Sequence, residues 1–293
     1  MPDKEIAKKK IDFETILRTA MDLPGVRINR EDFLKKTLSK HFDDDIVNKA
    51  ICSNPAQAGI NSESLERLAK SSINFETSKV AGISAAAGVP GFKAMPITVP
   101  ADMAQFFAHI LRILQKLAYL YGWQEMLKGD EDDELDDGTS NQLYLFVGVM
   151  FGVNAANAAI LKIANLAAQG VPKHLMKQAL THGAIYPIIK KTLAVIGVKM
   201  TKPIFTQAVG KAIPIVGAIV SGGVTFALFK PMSNRLKKYL ATLPTASVDF
   251  YKESHENDII DVDFTDIAID DIDDNDDLLD TDDTDDEIDE TEE

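Results

Sequence analysis

The sequence predicts an all-α fold: a multi-helix bundle with a Gly/Ala-rich central helix or hairpin, followed by a disordered acidic C-terminal tail. Three observations carry this. Apolar residues recur at helical spacing, most clearly at Met103, Phe106, Phe107, Ile110, Leu111, Leu114, Leu117, Ala118 and Tyr121. Period-two alternation over five or more residues occurs only at Ile259–Phe264, inside the tail, and reads as an isolated short motif. The charge is also segregated: Glu253–Glu293 holds 22 of the 45 acidic residues and none of the 31 basic ones, leaving 31 bases against 23 acids in residues 1–252.

Taken in order, residues 4–22 read as an amphipathic helix with Ile6, Phe13, Ile16, Leu17 and Met21 inward, stopped by Pro24-Gly25. Arg30–Phe42 reads as a second helix, and Asp43-Asp44-Asp45 cap a third over Ile46–Ile51, broken at Asn54-Pro55. These pieces, residues 1–55, form an N-terminal accessory segment. Asn61 or Ser62 caps the next helix, which continues through Val80 into the low-bulk run Ala81–Phe92. Asp102 is expected as N-cap of the long helix ending at Tyr121, whose stripe leaves Gln105, Arg112, Gln115 and Lys116 outside it; Gly122 suits a left-handed stop. After the acidic loop Gly129–Gly138, Thr139–Leu161 runs for 23 residues without charge and carries Gly148 and Gly152 four apart, a small-xxx-small pair for helix packing. Val171-Pro172 opens another helix, Ile185–Met200 is a basic amphipathic one, and a terminal helix spans Met232–Leu243.

The organising stretch is Gly210–Phe229. Ala212–Phe229 is uncharged over 18 residues, and Gly210, Gly217, Ser221, Gly222 and Gly223 are helix-packing candidates within it. That length is near the lower limit for crossing a bilayer, so a buried helix outweighs lipid insertion. The residues around it are basic. Lys162–Lys252 carries 13 Lys and Arg against one acid, Asp249. Lys190, Lys191, Lys199, Lys202, Lys211, Lys230, Arg235, Lys237 and Lys238 are candidates for anionic lipid headgroups, each worth about 1 kcal/mol near such a surface. Lysine dominates over arginine and aromatic interleaving is poor, so nucleic acid is not favoured.

Familiar catalysis finds no support. His41, His109, His174, His182 and His255 are scattered without metal-ligand spacing, and Cys52 is the single cysteine. The acidic loop does not match a calcium loop, since Leu135 falls where an acid is needed. Ser84 and Ser221 lie outside any nucleophile-elbow pattern, and no phosphate-loop motif occurs. Hence no catalytic, cofactor or metal residues are assigned. The N-terminus M-P-D-K-E-I-A-K-K-K lacks the apolar core of a secretory signal, which points to the cytoplasm.

Four pieces in order resemble the EcsC family of bacterial proteins: A-G-I-S-A-A-A-G-V-P-G-F (81–92), P-A-D-M-A (100–104), A-Y-L-Y-G-W (118–123) and G-K-A-I-P-I-V-G-A-I-V-S-G-G (210–223). The resemblance spans about residues 60–243 and implies an EcsC-like helical domain without enzymatic residues to carry over. The family's usual Asn in the second half of the Gly-rich helix is absent, with Thr225 and Phe226 in that region. The expected function is a non-catalytic, membrane-associated protein, cytoplasmic and peripheral or partly inserted at the inner face of the cell membrane. The alternative is a soluble helical interaction or scaffold module whose acidic tail, 253–293, recruits a basic partner. That tail could instead serve solubility alone, or mask the basic half.

Overall fold

The structure, a computed structural model, describes residues 13–87, 99–127, 136–182, 185–201 and 218–253. It is all-α, with no strand among the described residues. Among the described residues eleven α-helices follow in order: α1 (Phe13–Met21), α2 (Arg30–Leu38), α3 (Asp44–Cys52), α4 (Ser62–Ala87), α5 (Val99–Leu120), α6 (Asp137–Met150), α7 (Asn154–Ala168), α8 (Lys173–His182), α9 (Ile185–Thr201), α10 (Ala218–Leu240) and α11 (Val248–Glu253). A 3-10 turn, Pro244–Ala246, precedes the last.

Local chemistry sets most boundaries. Asn29 caps α2 by accepting from the Asp32 backbone N–H, and Asn61 caps α4 by accepting from that of Ser64. Asp136 caps α6 twice, accepting from the Thr139 N–H at 2.9 Å and from its hydroxyl at 2.7 Å. The end of the acidic loop is therefore a helix cap. Helices α5, α6 and α7 each close with paired backbone bonds around a positive-φ glycine (Gly122, Gly152 and Gly170). Gly122 is also sterically committed, since a Cβ there would lie 2.4 Å from the Thr245 carbonyl oxygen.

Helices α5 and α6 are enclosed on nearly all sides. From Gly138 to Met150 every α6 residue is buried except Gln142, which is half-buried. The low-bulk surface of α6 meets α7 and α9 at Gly148, where a Cβ would stand 2.5 Å from Thr192 Cγ2 and 2.8 Å from Ala156 Cβ. α1 lies directly on α5, with the Phe13 and Phe107 rings edge to face at 5.3 Å. α10 packs along α4, and the Lys237–Glu66 ion pair at 3.1 Å joins the C-terminal part of α10 to the N-terminal part of α4. α11 is pinned to the α3–α4 loop by a 2.8 Å hydrogen bond from Asn54 Nδ2 to the Tyr251 hydroxyl.

Several expectations are corrected. α2 stops at Leu38, four residues short of Phe42. α5 begins at Val99, so Asp102 lies in its first turn and is not the N-cap. The uncharged run 139–161 is two helices broken at Phe151–Val153. Gly152 therefore sits in the turn at φ +67°, outside the helix, and makes no small-xxx-small pair with Gly148. The end of the Gly-rich stretch and the terminal helix are one element, α10, with Pro231 inside it. Gly210 and Gly217, the part of the 81–92 run beyond Ala87 and the tail from residue 254 lie outside the described residues.

The long apolar stripe of α5 is buried, but so is much of what lies off it. Gln115 is fully buried and donates to the Val26 carbonyl at 2.8 Å, while its own oxygen accepts from the Ile28 N–H. Arg30, 6% exposed, donates to the carbonyls of Ile51, Ala50, Ser53 and Trp123. One guanidinium thereby neutralises the C-terminal end of α3 and ties it to the end of α5. Nothing in the local sequence of Arg30 signals this.

Candidate functional site

Helix α9 carries the surface of interest. Its inner face is Ile185, Ile188, Ile189, Thr192 and Ile196, all buried. Pro187 falls in the first turn, where a missing N–H costs nothing. Its outward stripe, spaced by four, is Tyr186, Lys190, Ala194 and Val198. An ordinary solvent face would be polar. Here Val198 is 65% exposed, Tyr186 is 38% exposed, and the Lys190 ammonium sits 4.8 Å from the centre of the Tyr186 ring. Gly197, next to Val198, opens onto space, with no atom within 4 Å of a Cβ placed there.

Exposed apolar side chains also occur on the helices that pack against α9. Among the described residues, five large apolar side chains are exposed, and Leu161, Leu175, Tyr186 and Val198 belong to α7, α8 and α9. The fifth is Phe75 on α4, with the Lys79 ammonium 4.5 Å from its ring centre. No acidic residue occurs between Lys162 and Thr201. The α9 stripe thus joins exposed apolar side chains to a lysine, on helices whose own sequence carries no acid.

The structure divides the nine basic candidates. Lys190 stands on the outward stripe, and Lys191, half-buried, flanks it. Lys238 is exposed and Lys230 half-buried on α10. Two candidates turn inward. Lys237 is 5% exposed and pairs with Glu66, and Arg235 donates to the Met150 carbonyl at 2.7 Å beside Gly152. Burial against α4 takes Lys237 out of reach of a headgroup, while Arg235 is half-buried and engaged at the end of α6. The Lys199 side chain, Lys202 and Lys211 lie outside the described residues. Of the packing candidates, Gly148 meets two neighbouring helices. Ser221, Gly222 and Gly223 contribute helical backbone to α10, with their side-chain surroundings outside the description.

Two further features escape sequence reasoning. The first is a buried charge cluster between α4 and α5. Glu76, wholly buried, accepts from the Lys116 ammonium at 2.5 Å and from Arg112 Nε at 3.4 Å. Burial pushes the Glu76 carboxyl up, but Lys116, with help from Arg112, overrides it and holds the carboxyl below its ordinary range. His109 lies beside this cluster with Nδ1 buried and without a hydrogen bond, and burial lowers its pKa. The signal that could have found the cluster is weak: Arg112 and Lys116 are four apart on the polar side of α5, which elsewhere would simply be solvated.

The second is a cleft of about 470 Å³ between the α3–α4 loop, the end of α5, the α7–α8 turn and α11. Trp123, Gln142, Gly170, Lys177 and Tyr251 are among its walls. Lys177 is committed to Asp136 at 2.5 Å, and the Trp123 indole N–H is buried without a partner. No group of three or more His, Cys, Asp or Glu residues among those described could hold a metal ion.

No described helix is long and apolar enough to cross a membrane. No protein-family model matches the chain, and neither a curated protein nor a solved structure matches it.

Proposed function

We propose that this chain is a non-catalytic, EcsC-like protein that attaches to anionic membrane surfaces from the cytoplasmic side through the outward face of α9. The observation that carries the reading is the Tyr186–Lys190–Ala194–Val198 stripe, apolar where solvent would call for polar residues and basic where it is charged. Tyr186 is suited to the headgroup level, Val198 to the acyl boundary, and Lys190 to lipid phosphate. Lys191, half-buried on the same helix, adds to the local positive field. Each ammonium near an anionic surface contributes about 1 kcal/mol, and burial of a valine-sized side chain about 1.5 kcal/mol. A few such terms give reversible, salt-sensitive attachment.

Co-sedimentation of the full chain with vesicles of phosphatidylcholine and phosphatidylglycerol tests this. Binding should rise with the phosphatidylglycerol fraction and fall with added salt. The pair Tyr186→Ser with Lys190→Glu should reduce it severalfold without changing the circular-dichroism spectrum. Equal binding by that variant, or no binding of wild type at low salt, rejects the reading.

A further inference from the structure

We infer that the α9 face is also the docking site of the chain's own acidic tail, through the segment Ile259–Phe264. Three observations meet here. The first is chemical fit. Ile259-Ile260-Asp261-Val262-Asp263-Phe264 alternates apolar side chains with carboxylates, and the α9 stripe presents Tyr186 and Val198 around the Lys190 ammonium. A tail serving only solubility has no use for Ile259, Ile260, Val262, Phe264, Ile267 and Ile269 among its carboxylates. The second is charge. The tail has 22 acids and no Lys or Arg after Lys252, and α7–α9 have no acid.

The third is position. The last described helix, α11, places Tyr251 in the wall of the cleft that Met176, Lys177 and Leu180 of α8 also line. The described chain thus ends two residues after a wall of the cleft that α8 also lines, and α8 is joined to Tyr186 by three intervening residues after His182. The five residues before Ile259 reach roughly 17 Å when extended. Tyr186 to Val198 spans about 18 Å along the helix, and six extended residues cover about 17–20 Å. Segment and stripe match in length, and the tether keeps the local concentration of the segment in the millimolar range, on the order of a short flexible linker.

The consequence is competition: tail and lipid would share one face, so the tail lowers vesicle affinity until anionic lipid displaces it. This consequence rests on the lipid reading above; the docking itself does not. The test uses the full chain with the photo-crosslinker p-benzoylphenylalanine in place of Phe264. The expected products are intramolecular and map to residues 186–198, and Lys190→Glu with Val198→Asp abolishes them. Crosslinks mapping elsewhere, to the Phe75 region of α4 for instance, or only between chains, overturn the proposal. A parallel measurement separates it from the lipid reading. The tail variant Ile260→Ser, Val262→Ser, Phe264→Ser should bind phosphatidylglycerol vesicles about fivefold or more tightly than wild type. Unchanged vesicle affinity with intact 186–198 crosslinks leaves the docking standing and removes the competition. Loss of those crosslinks removes the docking whatever the vesicles show.

Discussion

The Lys116 ammonium lies 2.5 Å from a carboxylate oxygen of Glu76, on adjoining helices α5 and α4, with Glu76 wholly shielded from solvent. A buried pair of this kind is weak evidence for stability but strong evidence for coupling, because neither partner tolerates the loss of the other. Glu76→Ala should cost about 3 kcal/mol in urea denaturation, since it strands Lys116. Glu76→Leu with Lys116→Met should cost clearly less than Glu76→Ala. A double-mutant cycle with no coupling would show that the two do not act as a unit.

His109 beside this pair gives a pH dependence. Burial sets its folded pKa below the ordinary 6.5, Glu76 opposes that shift, and Arg112 and Lys79 add to it. The unfolded chain then takes up the proton first, so stability is full above 6.5 and falls as pH drops through it. The loss is at most about 1.4 kcal/mol per pH unit. Denaturation midpoints at about pH 7.5 and about pH 5.5 should differ in wild type, and His109→Gln should reduce the difference. Glu76, held low, adds a separate loss only at more acidic pH, as its own carboxyl is protonated.

Glycine inside a helix usually costs about 1 kcal/mol relative to alanine. At Gly148 the sign should reverse, because the new methyl would meet Thr192 Cγ2 at 2.5 Å and Ala156 Cβ at 2.8 Å. Gly148→Ala is expected to lower stability by about 1–3 kcal/mol. Adding Thr192→Ser, which removes the nearer methyl, should recover part of the loss in the same melt.

Arg30→Lys tests whether shape or charge matters at the α2–α3 corner. The guanidinium reaches four carbonyl oxygens, at 2.6 to 3.2 Å. An ammonium has three donors and no fork, so it leaves buried acceptors unsatisfied. A loss of about 2 kcal/mol is expected by chemical denaturation, with an intact helical spectrum.

Lys237 and Lys190 separate structure from surface. Lys237 holds Glu66 at 3.1 Å, and that hydrogen bond lowers the Glu66 carboxyl below its ordinary value. Glu66 is half-exposed, so Lys237→Met should cost only about 1 kcal/mol in melting experiments and leave vesicle affinity unchanged. Lys190→Glu should do the opposite, weakening vesicle binding severalfold at constant melting temperature.

The all-α class, most helix cores and the separation of charge follow from the chain alone, because helical periodicity and composition are local properties. The periodicity placed Leu111, Leu114 and Leu117 inside, and Gly122 at a left-handed stop, where the structure has them. The same periodicity cannot say whether the other side of a helix meets water or another helix. Gln115 and Lys116 sit off the α5 stripe and are buried, because α4 and the turn after α1 close over them. Lys237 turns inward onto a carboxylate 171 residues away, and Lys190, equally basic in sequence, stays outside. Gly148 packs and Gly152 caps, although the two look alike in the chain. Each of these outcomes is fixed by a partner far along the sequence, and only the packed arrangement of helices brings that partner near.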